Sequence, residues 1–440
     1  MFFGVHPKEN PITKINLNMS STASNSLTIS EIKKIINYTI DNNEELAKLG
    51  KKRIALNIVG EKGIGKTSLM EQIAKERGMT FTKINVAQLD EVGDLIGLPV
   101  KEFEAQLFKP KKNEDGTVSR VPLKMVWGTE QVFKSMNPKS YQFTGKTRTG
   151  YAKPAWVPSY NEKGNFVVLD DYSRATPIFL NAMMDLIKDQ EYVSWKFPDK
   201  TIICLTTNPD NGLYNVSASD PAQQRRYLTF NMEFNLDDWS SWAEKVGIDG
   251  RAINFAMSYG DKLFAVDEEG NSIADPRSFE MFSNMISGIK DWENAEGMAF
   301  IYNIAKGCFH DSDNRFGDMF AMFIRNKMHL LIQPKQMLLG SWTTVKEKLY
   351  DAIYTSEGDV RPAVATILGR RFANYVNAWL DSDEQTPIKT VKDRLLEFIR
   401  SDKQFFTEDI YYHMIQTITK EHKAQTNKLL FEPEIAAKIN

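Results

Sequence analysis

"GEKGIGKT" (60–67) fits the pattern G-x-x-x-x-G-K-[ST] at every fixed position. Each residue type serves one purpose. Gly60, Gly63 and Gly65 let the backbone close around phosphates with its N–H groups pointing inward. Lys66 brings a cation to the outer phosphates, and the Thr67 hydroxyl is placed to ligate Mg²⁺. Ahead of the loop, "RIALNIVG" (53–60) is a short apolar, strand-like run. Behind it, "TSLMEQIAKERG" (67–78) reads as a helix stopped by Gly78. A chance glycine-rich turn lacks this strand and helix, and the helix offers its positive end to the same anion. The expected nucleotide segment is therefore continuous: Gly60, Glu61, Lys62, Gly63, Ile64, Gly65, Lys66, Thr67 and Ser68.

Such a loop needs an acid on a neighbouring strand to hold Mg²⁺. "NFVVLDD" (165–171) supplies it: an apolar run ends in two carboxylates, with Asp170 on the metal side. Asp171 then stands where a group would orient or deprotonate the attacking water. "KTIICLTTNPDNG" (200–212) is another buried strand, and it ends at Asn208, whose amide could hold the same water. By itself, Asn208 before Pro209 would read as an ordinary turn cap.

The rest of the chain builds a frame for these motifs. "LTISEIKKIINYTIDNNEELAKLG" (27–50) has helical spacing, with Ile32, Ile35, Ile36, Tyr38 and Ile40 as its apolar face. "TFTKINVAQ" (80–88) is a strand, and "TPIFLNAMMDLIKDQEY" (176–192) is a helix with Pro177 in its first turn. Strands alternating with helices indicate an α/β core with a parallel sheet. Beyond Phe234 the pattern is helical to the end. At 440 residues the chain exceeds what a single core of about 250–300 residues holds. The expected division is a loose N-terminal tail (1–26), a nucleotide-binding unit (27–234) with an insert at about 100–158, a helical lid (235–340) and a helical extension (341–440).

The ordered series of motifs resembles the AAA+ superfamily, most closely its MoxR-like and dynein-related branch. "QLDEVGDLIGLP" (88–99) is similar to the segment before that branch's insert. "KPAWVPSYNEKGNFVVLDDYSRATPIFLNAMMDLIKDQEY" (153–192) is similar to the insert exit, acidic strand and following helix. "TTNPDNGLYNVSASDPAQQRRY" (206–227) resembles the first sensor and the arginine-finger region, and "ADPRSFEMFS" (274–283) the lid segment bearing the second sensor. The resemblance implies an αβα sandwich with a helical lid, binding ATP and Mg²⁺. It assigns Lys66 and Thr67 to phosphate and metal, Asp170 to metal, and Asp171 to the catalytic acid. Asn208 falls at sensor 1, Arg277 at sensor 2 and Arg226 at the finger. The family text ends Asp-Arg-Phe where this chain has Arg225-Arg226-Tyr227, so Arg225 is the alternative finger. Relatives form rings, commonly hexamers, and many are remodelling chaperones that work with von Willebrand factor A domain adaptors. The catalytic acid is usually Glu. Asp171 is one methylene shorter, and a misplacement of about 1 Å can cost roughly 100-fold in rate, so slow hydrolysis is expected, with a hydrolysis-impaired nucleotide-bound scaffold as the alternative.

Two regions leave alternatives open. The insert holds eleven Lys or Arg interleaved with eight aromatics. That composition suits a grip on a nucleic-acid backbone with stacked bases. It equally suits a pore loop that holds a protein, or a solvated insertion with its own small core. The net charge of −2 adds no global attraction to nucleic acid. No run approaches the ~20 apolar residues of a membrane span, and "MFFGVHPKENPITKINLNMSSTASNS" lacks the apolar centre of a signal peptide. With only Cys204 and Cys308 and five histidines, neither a disulfide framework nor a structural zinc site is expected. The expected setting is the cytoplasm.

Overall fold

Apolar runs bounded by polar turns become strands buried on both faces when helices cover each side of a sheet. The computed structural model describes residues 26–113, 117–210, 221–267, 272–311, 313–380, 388–421 and 426–439. Apart from Ser26, the expected N-terminal tail lies outside them, as does most of the segment between Asn208 and the paired arginines. The strands are β1 (Ser26–Leu27), β2 (Ala55–Val59), β3 (Thr80–Asn85), β4 (Pro99–Lys112), β5 (Val118–Thr129), β6 (Tyr141–Tyr151), β7 (Asn165–Asp170), β8 (Glu191–Tyr192), β9 (Trp195–Lys196), β10 (Thr201–Thr207) and β11 (Tyr227–Met232). Six of them form one all-parallel sheet in the order β1-β11-β2-β10-β7-β3.

The helices of this half are α1 (Ile29–Lys48), α2 (Lys66–Arg77), α3 (Val92–Ile96), α4 (Glu130–Lys134), α5 (Pro177–Asp189) and α6 (Pro221–Gln224). A capping box closes the start of α1, with Thr28 accepting from the Glu31 N–H and Glu31 accepting from that of Thr28. Its buried stripe is Ile32, Ile36 and Ile40, with Thr39 and Asn43. Tyr38 is off that face and 55% exposed. Two residues of helix turn it about 200° from Ile36, to the side nearly opposite that residue. One apolar cluster joins α1 and α2 to Phe166, Val168, Ile202 and Cys204. The cluster on the other face joins α3 and α5 to Val167, Leu169, Ile203 and Leu205. The alternation along β7 and β10 is the period-2 signature of a sheet covered on both sides.

The insert between α3 and β7 is a three-stranded antiparallel arm in the order β5-β4-β6. The pairing of β4 with β5 runs out to Lys112 and Val118 at the arm's tip, within "KPKKNEDGTVSR", whose 114–116 lie outside the described residues. At its base, the Trp156 indole donates to Leu95 O and the Trp195 indole to Ile96 O.

The second half is helical: α7 (Leu236–Val246), α8 (Gly250–Leu263), α9 (Pro276–Ile286), α10 (Ala295–Cys308), α11 (Arg315–Arg325), α12 (Pro334–Leu339), α13 (Trp342–Ile353), α14 (Pro362–Leu380), α15 (Ile388–Ile399), α16 (Glu408–Glu421) and α17 (Pro433–Ala436). One apolar cluster runs through it from Trp239 to Ile435. A buried polar network crosses the expected lid–extension boundary at 340. Arg371 on α14, 1% exposed, meets Glu244 of α7 at 2.6 Å and Asn254 of α8 at 2.7 Å. A buried guanidinium needs such partners, and removing one would leave an uncompensated charge.

Candidate nucleotide site

In an open parallel sheet, ligands gather outside the carboxyl ends of the strands. The phosphate loop leaves the carboxyl end of β2. Strand β10 runs between β2 and β7, so Asn208 lies between the loop and the two acids. Strand parity then selects the side chains. Asp170 continues the series Phe166, Val168 on the α2 face, and Thr206 and Asn208 continue Ile202, Cys204 on that same face. Lys66 and Thr67 open α2 against it. Register and period thus converge four expected residues, Lys66, Thr67, Asp170 and Asn208.

The contacts are direct. The Thr67 hydroxyl donates to Asp170 Oδ1 at 2.8 Å. The Lys66 ammonium donates to the carbonyls of Gly60 and Glu61 and, at 3.3 Å, to Asn208 Oδ1. Burial pushes this ammonium down to about 8, against the pull of Asp171, Asp170 and Glu61, and nearby Arg277 adds to the push. The loop needs glycine where its backbone turns left-handed: Gly63 has φ 76° and Gly65, the N-cap of α2, φ 90°. At Gly63 a Cβ would also meet Asp275 Oδ1 at 2.7 Å. Within the loop, Ile64 is buried and anchors it, while Lys62 and Ser68 are exposed.

Asp171 sits at φ 53°, ψ 35°, in the left-handed region. Asp and Asn enter that region more readily than other residues with a side chain. Its carboxylate lies 3.6 Å from Arg174 and is partly exposed. The helical half reaches the loop through the start of α9. Asp275 caps this helix by accepting from the Ser278 N–H, and Arg277 Cβ would lie 3.4 Å from a side chain at Gly63. The backbone of Arg277 is therefore beside the phosphate loop.

The arginine pair is elsewhere. Arg225 and Arg226 precede β11, whose first residue pairs with Ala55 at the start of β2. Five parallel residues at about 3.3 Å each put them roughly 15–20 Å from the loop of their own chain. Arg226 donates to Met184 O of α5 at 2.7 Å and lies 3.5 Å from Asp185. Arg225 is exposed.

The arm divides its charges by position. Near the base, Arg148 pairs with Glu102 at 2.8 Å and covers the Trp127 ring, and Lys134 pairs with Glu130. On the opposite face Phe133, 1% exposed, packs edge-on to Phe143 and beside Tyr141, so the insert has a small core of its own. At the tip Lys109, Lys111, Lys112 and Lys124 are exposed, and no described residue pairs with their ammonium groups.

A hydroxyl and a carboxylate in contact are hard oxygen donors that suit Mg²⁺, which takes one or two protein oxygens and leaves the rest to water and phosphate. Among the described residues, no group of three or more His, Cys, Asp or Glu gathers to hold a metal on protein ligands alone. No described helix is long and apolar enough to cross a membrane. The open clefts beside Arg251 and His329, about 440 Å³, and beside Trp342 and Asp393, about 450 Å³, share no residue with the phosphate loop.

Sequence reading missed three residues. Thr206 donates to Asp170 Oδ1 at 2.6 Å, Lys83 lies 3.7 Å from Asp170 Oδ2, and the Asn208 N–H reaches Ser173 Oγ at 3.4 Å. Only Thr206 carried a signal, since it shares the parity of Asn208 two residues earlier. Lys83 and Ser173 depend on which strand and turn become neighbours.

No protein-family model matches the chain, and neither does any curated protein. Solved structures show similarity. A candidate ATPase from Cytophaga hutchinsonii is 13% identical, with a TM-score of 0.26 over 67% of this chain and 88% of its own. A RuvB mutant of Thermogota maritima is 13% identical, with a TM-score of 0.34 over 75% and 91%. NtrX from Brucella abortus, in complex with ADP, is 12% identical, with a TM-score of 0.32 over 66% and 59%. At scores this low the fold rests on the strand order and loop geometry described above.

Proposed function

We propose that this chain binds ATP with Mg²⁺ and hydrolyses it slowly as one subunit of a ring, because its arginine pair lies too far from its own phosphate loop to act there. The observation that carries the nucleotide reading is the contact of Thr67 with Asp170 beside Lys66 and Asn208. When bound, the metal would neutralise phosphate charge between Thr67 and Asp170. Lys66 would exchange its loop carbonyls for phosphate oxygens. Asp171 and Asn208 would hold the attacking water, and Arg277 would report the nucleotide to the lid. Lys66→Ala tests this: ATP affinity measured by direct titration should fall at least 100-fold, and unchanged affinity would remove the assignment.

The finer reading is a MoxR-like AAA+ remodelling chaperone, commonly hexameric in such families, acting on a protein client or a von Willebrand factor A domain adaptor in the cytoplasm. The resemblance of the motif series supports it. One of Arg225 and Arg226 would complete a neighbour's site. Arg226 has the family register, but Arg225 is the one exposed for a partner. The exposed lysines of the arm tip, whose ammonium groups have no partner among the described residues, favour a second reading, a nucleic-acid motor, because phosphates would match them. Hydrolysis accelerated by single-stranded or duplex DNA would select the second reading, and indifference to DNA the first.

A further inference from the structure

Two acids end β7, and one hydroxyl touches both. Thr206 Oγ1 donates to Asp170 Oδ1 at 2.6 Å and accepts from the Asp171 N–H at 3.1 Å. The first bond turns the metal-side carboxylate toward Thr67. The second ties down the backbone where Asp171 bends left-handed. Thr206 is 1% exposed, so no water is at hand to replace either bond.

We infer that Thr206 is a positioning residue that sets the metal-side and water-side acids together, and that Asp171 suits this site because its backbone is pinned in the left-handed region. The inference deepens the ATP reading and rests on it. Asp170 Oδ1 accepts from Thr67 and Thr206 at once. If Thr67 turns to a metal, Thr206 remains to orient the carboxylate. Partners behind a metal ligand fix its orientation, and their loss costs about 10–100-fold in metal affinity or activity. The peptide link from Asp170 to Asp171 carries the same constraint to the water. Residue 171 follows the strand at φ 53°, a turn that a short acid tolerates, and its N–H has Thr206 as acceptor.

The alternative is a buried threonine that merely completes the sheet end. The two roles separate in a comparison of Thr206→Val and Thr206→Ser in the full chain. Valine keeps the volume and removes donor and acceptor, and serine keeps both. Nucleotide affinity is read without Mg²⁺ and again across a Mg²⁺ titration, and kcat and KM are read separately. Thr206→Val should bind ATP like the wild type without Mg²⁺, need about 10–100-fold more Mg²⁺ for half-maximal enhancement of binding, and lose kcat by a similar factor with KM for ATP·Mg²⁺ following the metal. Thr206→Ser should restore both to within about threefold of wild type. A Thr206→Val protein that is less stable but has wild-type Mg²⁺ dependence and kcat overturns the inference. If valine prevents folding, Thr206→Cys, a poor donor of similar size, carries the same expectations. A wild type that binds no ATP defeats the nucleotide reading itself, and this inference with it.

Discussion

The carboxyl end of the parallel sheet and the tip of the inserted arm are both rich in charge, yet they treat it oppositely. At the sheet end each expected polar group has a partner within the chain: Lys66 has two carbonyls and Asn208, and Asp170 has two threonines. At the arm tip four lysines have none among the described residues. Satisfied polar groups in a partly buried site are held in place before a ligand arrives, so little ordering entropy remains to be lost on binding. A lysine in solvent without a fixed partner keeps its rotamer freedom, and it engages a large partner only by giving up that freedom. The difference separates a candidate anion site whose side chains are already held in place from a surface that determines no geometry.

The sharpest break in this comparison would come from a third kind of charge, one held in one subunit for use in another. Trans-acting arginines are worth about 10³–10⁵ in rate. Arg225→Ala should therefore lower turnover about 1,000-fold with ATP affinity intact. Mixing it with Lys66→Ala, which cannot bind ATP but still offers Arg225, should bring hydrolysis back in mixed rings. If Arg226→Ala is the more damaging and the better complemented, the finger is Arg226 and its bond to Met184 must open on assembly. Equal activity in a strict monomer would end the ring reading.

Within the sheet end, Asp171→Asn keeps a residue that tolerates φ 53° and removes the charge. Turnover should fall about 100-fold in single-turnover kinetics with ATP affinity unchanged. Asp171→Glu should raise turnover by restoring reach, at a cost of about 1 kcal/mol in thermal unfolding from the left-handed backbone. A glutamate variant slower than wild type would mean that the site is built around the short acid.

The buried ammonium gives a smaller effect with a definite sign. Lys66 is pushed from its ordinary 10.5 to about 8, so the free protein is charged below pH 8 and loses the proton above it. Phosphate binding then requires proton uptake, and ATP Kd should rise with pH, by at most about tenfold per unit above 8. Folding stability has the opposite slope. The unfolded chain holds more protons between about 8 and 10.5, so this lysine's burial penalty is full below 8 and fades as pH rises through that window. Calorimetric titration of ATP from pH 7 to 9.5 checks the first. A flat profile would mean the ammonium is better solvated than its burial implies.

The smallest expected effect is at the tip. Lys111→Glu with Lys112→Glu should change unfolding free energy by no more than about 0.5 kcal/mol and leave ATP affinity alone, because no described group depends on either ammonium. A drop in DNA-stimulated hydrolysis in this variant would assign the tip to nucleic acid, and a drop in client-stimulated hydrolysis would assign it to protein.

Much of the site was legible because phosphate chemistry restricts residue types locally. The glycines and Lys66-Thr67 lie within eight consecutive positions, and the acids follow an apolar run that has to be a strand. Tyr38 was misplaced on its helix because a strict i, i+4 stripe excludes it, and hydrophobicity alone does not measure the angle. The two arginines were legible as a pair, with Arg226 in the family register and Arg225 as the alternative, but only packing against α5 shows that the Arg226 guanidinium is tied down.

Alternating patterns, the loop motif and two acids at a strand end determined by themselves an α/β fold with a candidate nucleotide site and named the residues proposed for phosphate and metal, because each depends on neighbours a few positions away. Tertiary structure decided the rest: that β10 runs between β2 and β7, that Thr206 joins both acids, that Asp275 and Arg277 close on Gly63, and that the helical extension shares the lid's core through Arg371. Those contacts join residues tens to more than two hundred positions apart. Local propensity has no term for such pairs, and only strand order, register and burial bring them within reach of a hydrogen bond.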